Sequence, residues 1–564
     1  MCDPLSGTAK KNTFFGGAAI LAASSLIVKL IGALYKIPLG NVLSNESFTN
    51  FNTAYNVYNL FLTISTAGLP VALSKTISEA NTLGRRNQIQ RIFRVALITF
   101  AVLGIISFIA MSFFGAPLAV AMGDDSAVYC IRALSPSVLC VCIMSAFRGY
   151  YQGHSNMVPT AISQVIESLC KLVFGLALAF LLLRILTGSD AYKHRMAASG
   201  AIFGVSIGSI IALIFLVSRY TLRRRSTLPP SHDTADSGSD ILSRLLKLAI
   251  PITIGSASIS IVTIVDTKVV LTLLRRMYEN MPQLISPDAL AQAGETGGVA
   301  PALFMAQGLK GIYDKCMAIY NLPSQLMVPI TASVIPAVSA CLARRDSAAA
   351  SRTSESALHI GVILALPMGV GLFALAGPVV ELLFPSKMDL DVAAPVMAML
   401  GLSAIFVCIM LICNSILQSH GLVNLPVLTV IVGGVIKIVV NYILVGNYNI
   451  NIKGAPVGTF CCFAATALLD LFIIKRVIPA APSYTRVFLK PVIASVIMGA
   501  AAWGSYGLLT NFLHFGGRIS TLGAIFVAVV VYGILVLALR IISKDDLALM
   551  PKGEKIAKIL RIDG

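Results

Sequence analysis

Fourteen apolar runs, each close to or above the length of a membrane crossing, follow one another along this chain. They fall near residues 14–40, 51–79, 92–115, 127–151, 158–184, 197–219, 243–275, 306–341, 356–384, 391–417, 424–446, 454–475, 487–511 and 518–542. About 20 predominantly apolar residues in a helix cross the hydrocarbon of a bilayer. Lipid offers the backbone no hydrogen bonds, so a run of this length satisfies its own N–H and C=O groups as a helix. With 57% hydrophobic and 12% charged residues, the 564-residue chain has too much apolar surface for a water-soluble core. The expected fold class is therefore an all-α polytopic membrane protein with fourteen transmembrane helices. Several runs exceed what a crossing needs and are expected to tilt or project. No short apolar stretch with a small-residue cleavage site precedes the first run, so no cleaved signal peptide is expected.

The formal charge of +18 raises the question of nucleic acid. Its distribution answers against it, because the cations gather in alternate loops, as orientation signals do. Arg85, Arg86, Arg91 and Arg94 follow the second run, and Arg219, Arg223, Arg224 and Arg225 follow the sixth. Arg344, Arg345 and Arg352 follow the eighth, and Lys475 and Arg476 the twelfth. Both termini fall on this basic side, which the positive-inside rule makes cytoplasmic. The cysteines form no CxxC pair, and most (Cys140, Cys170, Cys408, Cys461, Cys462) sit in apolar runs as small core residues. The histidines show no ligand spacing, and neither a metal site nor a cofactor is expected.

A polar segment, "SRYTLRRRSTLPPSHDTADSGSD" (218–240), interrupts the series after six helices. Gln152/Gln418, His154/His420 and Lys171/Lys437 are each 266 residues apart, and the tripeptide YNL at 58–60 recurs at 320–322. The common offset predicts two parallel six-helix repeats related by an axis along the membrane normal. The expected organisation is a first lobe over 1–217, a cytoplasmic linker over 218–242 and a second lobe over 243–475. Two further helices follow over 476–543, and 544–564 reads as a basic amphipathic helix at the inner surface.

Charges inside membrane spans are functional candidates by default. Lys29 lies near the middle of the first run, with Lys36 two turns on along the same face. The others are Lys75, Glu167, Lys171, Asp266, Lys268, Asp314, Lys315 and Lys437. Glu167 and Lys171, four apart with the acid first, can neutralise each other along one helix. Lys36, Asp314 and Lys315 near the outer face can snorkel, as can Lys75 at the inner face beside Glu79. The first lobe thus sets four lysines against one deep acid, a balance that attracts anions and repels cationic drugs. Gly68 and Pro70, and Pro323, Pro329 and Pro336, predict bends in the second and eighth helices. Gly200, Gly204 and Gly208 read as a packing face.

"SSLIVKLIGALYKIPLG" in the first helix and "TAGLPVALSKTISEANTLGRR" at the end of the second, with a 6 + 6 + 2 arrangement, give a wider clue. The chain resembles the stage V sporulation protein B family, grouped with the MurJ-type lipid II flippases in the multidrug/oligosaccharidyl-lipid/polysaccharide exporter superfamily. The resemblance implies a V-shaped pair of lobes around a cavity of alternating access. Its implied cargo is an undecaprenyl-pyrophosphate-linked saccharide, foremost lipid II, carried across a bacterial plasma membrane by a monomer. The last two helices would form a groove for the lipid tail. Lys29 and Lys36 match the family's basic residues on the first helix, with Lys75, Lys171 and Glu167 completing the expected headgroup set. Both first-helix residues are lysine, which meets phosphate as a point charge. Some relatives place sodium among helices 7, 11 and 12; here Lys437 would stand in for that cation, paired with Asp266 and beside Asn441, leaving the membrane potential to drive the cycle.

Three other readings stay open. A cation-coupled multidrug exporter predicts a deep carboxylate on the first helix and twelve spans. A flippase for another polyprenyl-linked saccharide is compatible with every residue named. An enzyme acting on prenyl pyrophosphates needs clustered carboxylates for magnesium. The adjacent acids Asp124 and Asp125 fall in a short outer loop, where no partners are expected, and the chain is read as no enzyme.

Overall fold

The computed structural model describes residues 5–224, 233–295, 299–385, 388–477, 483–512 and 514–542. The regular structure among them is helical. In order, the helices are α1 (Leu5–Val42), α2 (Asn45–Thr66), α3 (Leu69–Thr82), α4 (Arg86–Phe113), α5 (Gly115–Ala121) and α6 (Val128–Gly153). Then come α7 (Val158–Ile185), α8 (Asp190–Arg224), α9 (Gly238–Asn280), α10 (Pro287–Glu295), α11 (Pro301–Ala343) and α12 (Ser347–Ala374). The last are α13 (Ala376–Leu383), α14 (Leu390–Ser419), α15 (Asn424–Val445), α16 (Gly454–Val477), α17 (Tyr484–Asn511) and α18 (Gly517–Ala538). Thirteen spans among the described residues are long and apolar enough to cross a membrane. They match the expected runs apart from the seventh, where α9 is a continuous helix of 43 residues. The 544–564 segment lies outside the described residues.

The chain forms two compact units, residues 1–308 and 309–564. In the first, α7 packs along α8, α4 and α8 flank α6, and α9 lies against α2, α3 and α4. The second repeats the scheme, with α15 along α16 and with α12 and α16 flanking α14, and adds α17 on α12. The bend expected at Gly68 and Pro70 is a full break between α2 and α3. Pro70 sits in the first turn of α3, where its missing N–H costs nothing. A side chain at Gly68 would run into the Ala249 carbonyl of α9. By contrast α11 continues as one helix past Pro323, Pro329 and Pro336. Part of the polar linker is docked: Asp233 accepts from the backbone N–H of Asn87 and Gln88 at 3.0 Å each, capping the first turn of α4.

The 266-residue offset reappears as geometry. α6 ends at Gly153 and α14 at Ser419, while α7 starts at Val158 and α15 at Asn424. Both turns close alike, with Asn156 N–H donating to Tyr151 O and Leu422 N–H to Leu417 O at 3.0 Å each. In each, the histidine's Nδ1 lies against the carbonyl four residues back, at 2.8 Å in His154 and 2.9 Å in His420. This closure needs a left-handed residue just past the helix. The second turn supplies Gly421 (φ 80°), whereas the first uses Ser155 (φ 56°). The three glycines of α8 form the expected packing face. A Cβ at Gly204 would land on the Gly175 backbone of α7, and one at Gly208 would lie 2.7 Å from the Glu167 carbonyl.

Two stability measurements follow, both as thermal midpoints of the purified protein. Gly204→Ala should destabilise by about 1–3 kcal/mol, since two backbones must part to admit a methyl group; an unchanged midpoint would contradict the close approach. Ser155→Gly should stabilise by about 1 kcal/mol and Gly421→Ala destabilise by as much. Opposite signs at the equivalent positions are the signature to look for.

Candidate functional site

A cavity of about 330 Å³ lies within the first unit, lined by residues of α1, α2, α6, α7 and α8. Among them are Lys29, Tyr55, Arg148, Gln164, Glu167 and Lys171. Three of the headgroup candidates, Lys29, Lys171 and Glu167, thus come from helices distant in sequence to one wall-bounded space. Lys29 is exposed to it, without an ion-pair partner among the described residues.

The lysine positions rest on aromatic rings. Lys171 Nζ lies 5.1 Å from the Tyr35 ring centroid and 5.2 Å from that of Tyr55. Half-buried Lys36 lies 6.0 Å from the same Tyr55 ring. Ring faces are negative and attract cations within about 6 Å. Tyr35 is itself fixed: it is fully buried, and its hydroxyl donates to Ala201 O of α8 at 2.9 Å. Gly175 leaves room for it, because a Cβ there would stand 2.9 Å from the Tyr35 hydroxyl.

The four-residue spacing had suggested that Glu167 pairs with Lys171 along α7; the ion pair that Glu167 forms runs instead to the neighbouring helix. Its carboxylate pairs with Arg148 Nη2 of α6 at 2.9 Å, and Arg148 Nε donates to Ser163 Oγ at 3.1 Å. Arg148 was not anticipated. The signal was available in the short α6–α7 turn, since 148 and 163–167 lie opposite one another across an antiparallel hairpin. The cavity therefore holds Lys29, Lys171 and Arg148 against Glu167, with the acid already engaged. The carbonyl oxygen of Gln164 is buried there without a partner among the described residues.

Other candidates lie elsewhere. Lys75 and Glu79 are exposed on α3, away from the cavity lining. Asp266 is buried on α9 in the first unit, while Lys437 and Asn441 belong to α15 in the second. Asn441 is buried where Gly458 of α16 leaves space for its side-chain oxygen. Three sequence expectations are corrected. Lys315 is fully buried rather than snorkelling, and Asp314 pairs with Lys310 at 2.8 Å instead of reaching for the interface. Asp124 is not a partnerless loop acid: it is fully buried and accepts from Gln307 Nε2 at 2.6 Å and Ser126 Oγ at 3.0 Å. Asp125 faces Arg275 at 3.8 Å. The reason is that the outer loop folds inward against α2 and the start of α11. Asp470 of α16, also unanticipated, is a buried intramembrane acid. No cluster of three or more metal-ligating His, Cys, Asp or Glu side chains exists among the described residues.

A sequence model of the polysaccharide biosynthesis protein family matches residues 14–342, and one of the MatE family matches 313–443. In Bacillus subtilis (strain 168), the uncharacterized membrane protein YabM is 25% identical over 98% of this chain and 97% of its own. The lipid II flippase MurJ of the same organism is 27% identical, covering 86% and 87%. Its stage V sporulation protein B is 24% identical, covering 96% and 98%. Among solved structures, lipid II flippase MurJ in an inward closed conformation superposes with a TM-score of 0.67 at 16% identity, over 92% of this chain and 98% of that one. An inward-facing multidrug resistance MATE transporter of the MOP superfamily gives 0.61 at 16% identity, over 81% and 98%. The likeness to the lipid II flippase and stage V sporulation families read from the first two helices is thus upheld along the chain, and the MurJ and MATE relatives are named as a flippase and a transporter rather than as enzymes. This multi-pass membrane chain belongs to the polysaccharide biosynthesis protein family.

Proposed function

We propose that the chain is an alternating-access flippase for an undecaprenyl-pyrophosphate-linked saccharide, with lipid II as the foremost cargo. The observation that carries this reading is the cation excess of the first-unit cavity. Its one carboxylate is held by Arg148, so Lys29 and Lys171 are available to a pyrophosphate, with Lys36 above Tyr55 close by. Apolar walls strengthen the field these charges project. The tail of the cargo would stay in lipid, against the apolar faces of α17 and α18, where Trp503 and Phe526 are exposed. The protein would work as a monomer in a bacterial plasma membrane, both termini in the cytoplasm. The same excess of positive charge disfavours a cationic-drug exporter.

In this reading Lys437 occupies the place of a coupling cation beside Asn441, so turnover of purified protein needs no sodium. Strict sodium dependence in proteoliposomes would refute that role.

Binding of undecaprenyl pyrophosphate, with and without its saccharide, tests the cavity. Lys29→Ala and Lys171→Met should each weaken binding about tenfold or more, the scale of one hydrogen bond to a charged group. Lys75→Ala, outside the cavity, serves as comparison. Unchanged affinity in both cavity variants would overturn the assignment, and equal affinity for any saccharide would leave lipid II without preference.

A double-mutant cycle tests the ion pair. Arg148→Gln leaves Glu167 facing the lysines, so headgroup affinity should fall. Adding Glu167→Gln restores the cation excess and should recover most of the loss. A double variant no better than the single one would show that Arg148 binds cargo directly.

A further inference from the structure

The second unit holds a carboxyl group that the proposed cargo does not explain. Asp470 is fully buried on α16, roughly 10 Å from the end of the helix at 1.5 Å per residue. One oxygen, Oδ1, accepts from Thr429 Oγ1 of α15 at 2.7 Å. The other, Oδ2, is buried with no partner among the described residues, and the carboxyl forms no ion pair among them. The basic residues of its own helix, Lys475 and Arg476, are exposed, with Arg476 laid over the Phe472 ring at 5.4 Å.

A carboxylate cannot stay charged and unpartnered in such a place; it takes a cation or a proton. A divalent metal cation favours several carboxylate oxygens, and among the described residues no group of three or more His, Cys, Asp or Glu side chains is gathered to hold one. The Thr466 hydroxyl, one turn back, is directed to Cys462 O at 2.8 Å and also reaches Thr429 O at 3.3 Å. From α14 the titratable neighbour is the Cys413 thiol, and from α17 the Tyr484 hydroxyl is committed to Leu471 O at 2.6 Å. α15 and α16 touch at Gly433, where a Cβ would lie 2.8 Å from Cys462 O. With those hydroxyls committed to carbonyl oxygens, a proton is the occupant that Oδ2 can take without breaking a hydrogen bond.

We propose that Asp470 is a proton-binding site. The carboxyl carries its proton on Oδ2 while α14, α15 and α16 are packed, and gives it to water when their separation hydrates that oxygen. Proton occupancy is thereby tied to the packing of the second unit, as in the carboxyl relays of membrane pumps. The inference stands on that unit alone and does not depend on which cargo the first unit binds.

The test uses the purified full-length protein in lipid vesicles. Infrared difference spectra of wild type against Asp470→Asn should show a protonated-carboxyl C=O band at neutral pH that the variant lacks. The band should fade as pH is raised and be indifferent to replacing sodium by choline. Asparagine keeps the oxygen that Thr429 bonds, so the variant should fold; should it not, Asp470→Glu should move the band instead. The thermal midpoint of wild type should fall with rising pH more steeply than that of Asp470→Asn. A missing band, a band that responds to sodium, or parallel pH curves would each overturn the proposal.

Discussion

The ion pair between Arg148 and Glu167 sets the charge balance of the first-unit cavity. Without it, Glu167 would face Lys171 one turn along the same helix, and the space would hold balanced charges. With the carboxylate bound at 2.9 Å by a residue of the neighbouring helix, Lys29 and Lys171 are left without an ion pair among the described residues. Removing one member of a partly buried pair leaves the other uncompensated, at a cost of up to about 3–5 kcal/mol in fully buried cases. The pair's side chains are 13% and 21% exposed, so the cost here is smaller. Its direction is the same, toward capture of a lysine by the freed acid.

That pair depends on backbone geometry. Arg148 meets Glu167 because α6 and α7 reverse over four residues, and the reversal needs a left-handed residue at Ser155. α7 in turn is held against α8 by glycines that bring the two backbones together at Gly204 and Gly175. The same approach leaves space for Tyr35, whose hydroxyl is tied to α8 and whose ring lies under Lys171. Turn, glycine face and aromatic support are one continuous cause, and charge placement is its result.

Much of this was legible in the sequence. Helix positions followed from apolar runs, the matching turns after α6 and α14 from a constant offset, and the glycine face from its four-residue spacing. Lys29, Lys171 and Glu167 stood out because charge in an apolar run is conspicuous. Arg148 was overlooked because it lies one turn from a helix end, where arginine is ordinary, and its partner is set by hairpin register. Lys315 was misplaced because depth along a helix says nothing about which face is covered. Asp124 was misread because a loop can fold inward, and only tertiary packing reveals that Gln307 awaits it.

The two units settle their charges differently, and the difference bears on mechanism. The first leaves cations over aromatic rings, facing a cavity. The second matches Lys310 with Asp314 on one helix and closes Asp470 within packed helices. The first pattern is the one that the proposed anionic ligand would use. In the other half, under the proposal for Asp470, that carboxyl is neutral as long as its helices stay together and gains a charge when they part. Under the two proposals, each half has its own electrostatic reason to change state, the first by ligand and the second by proton.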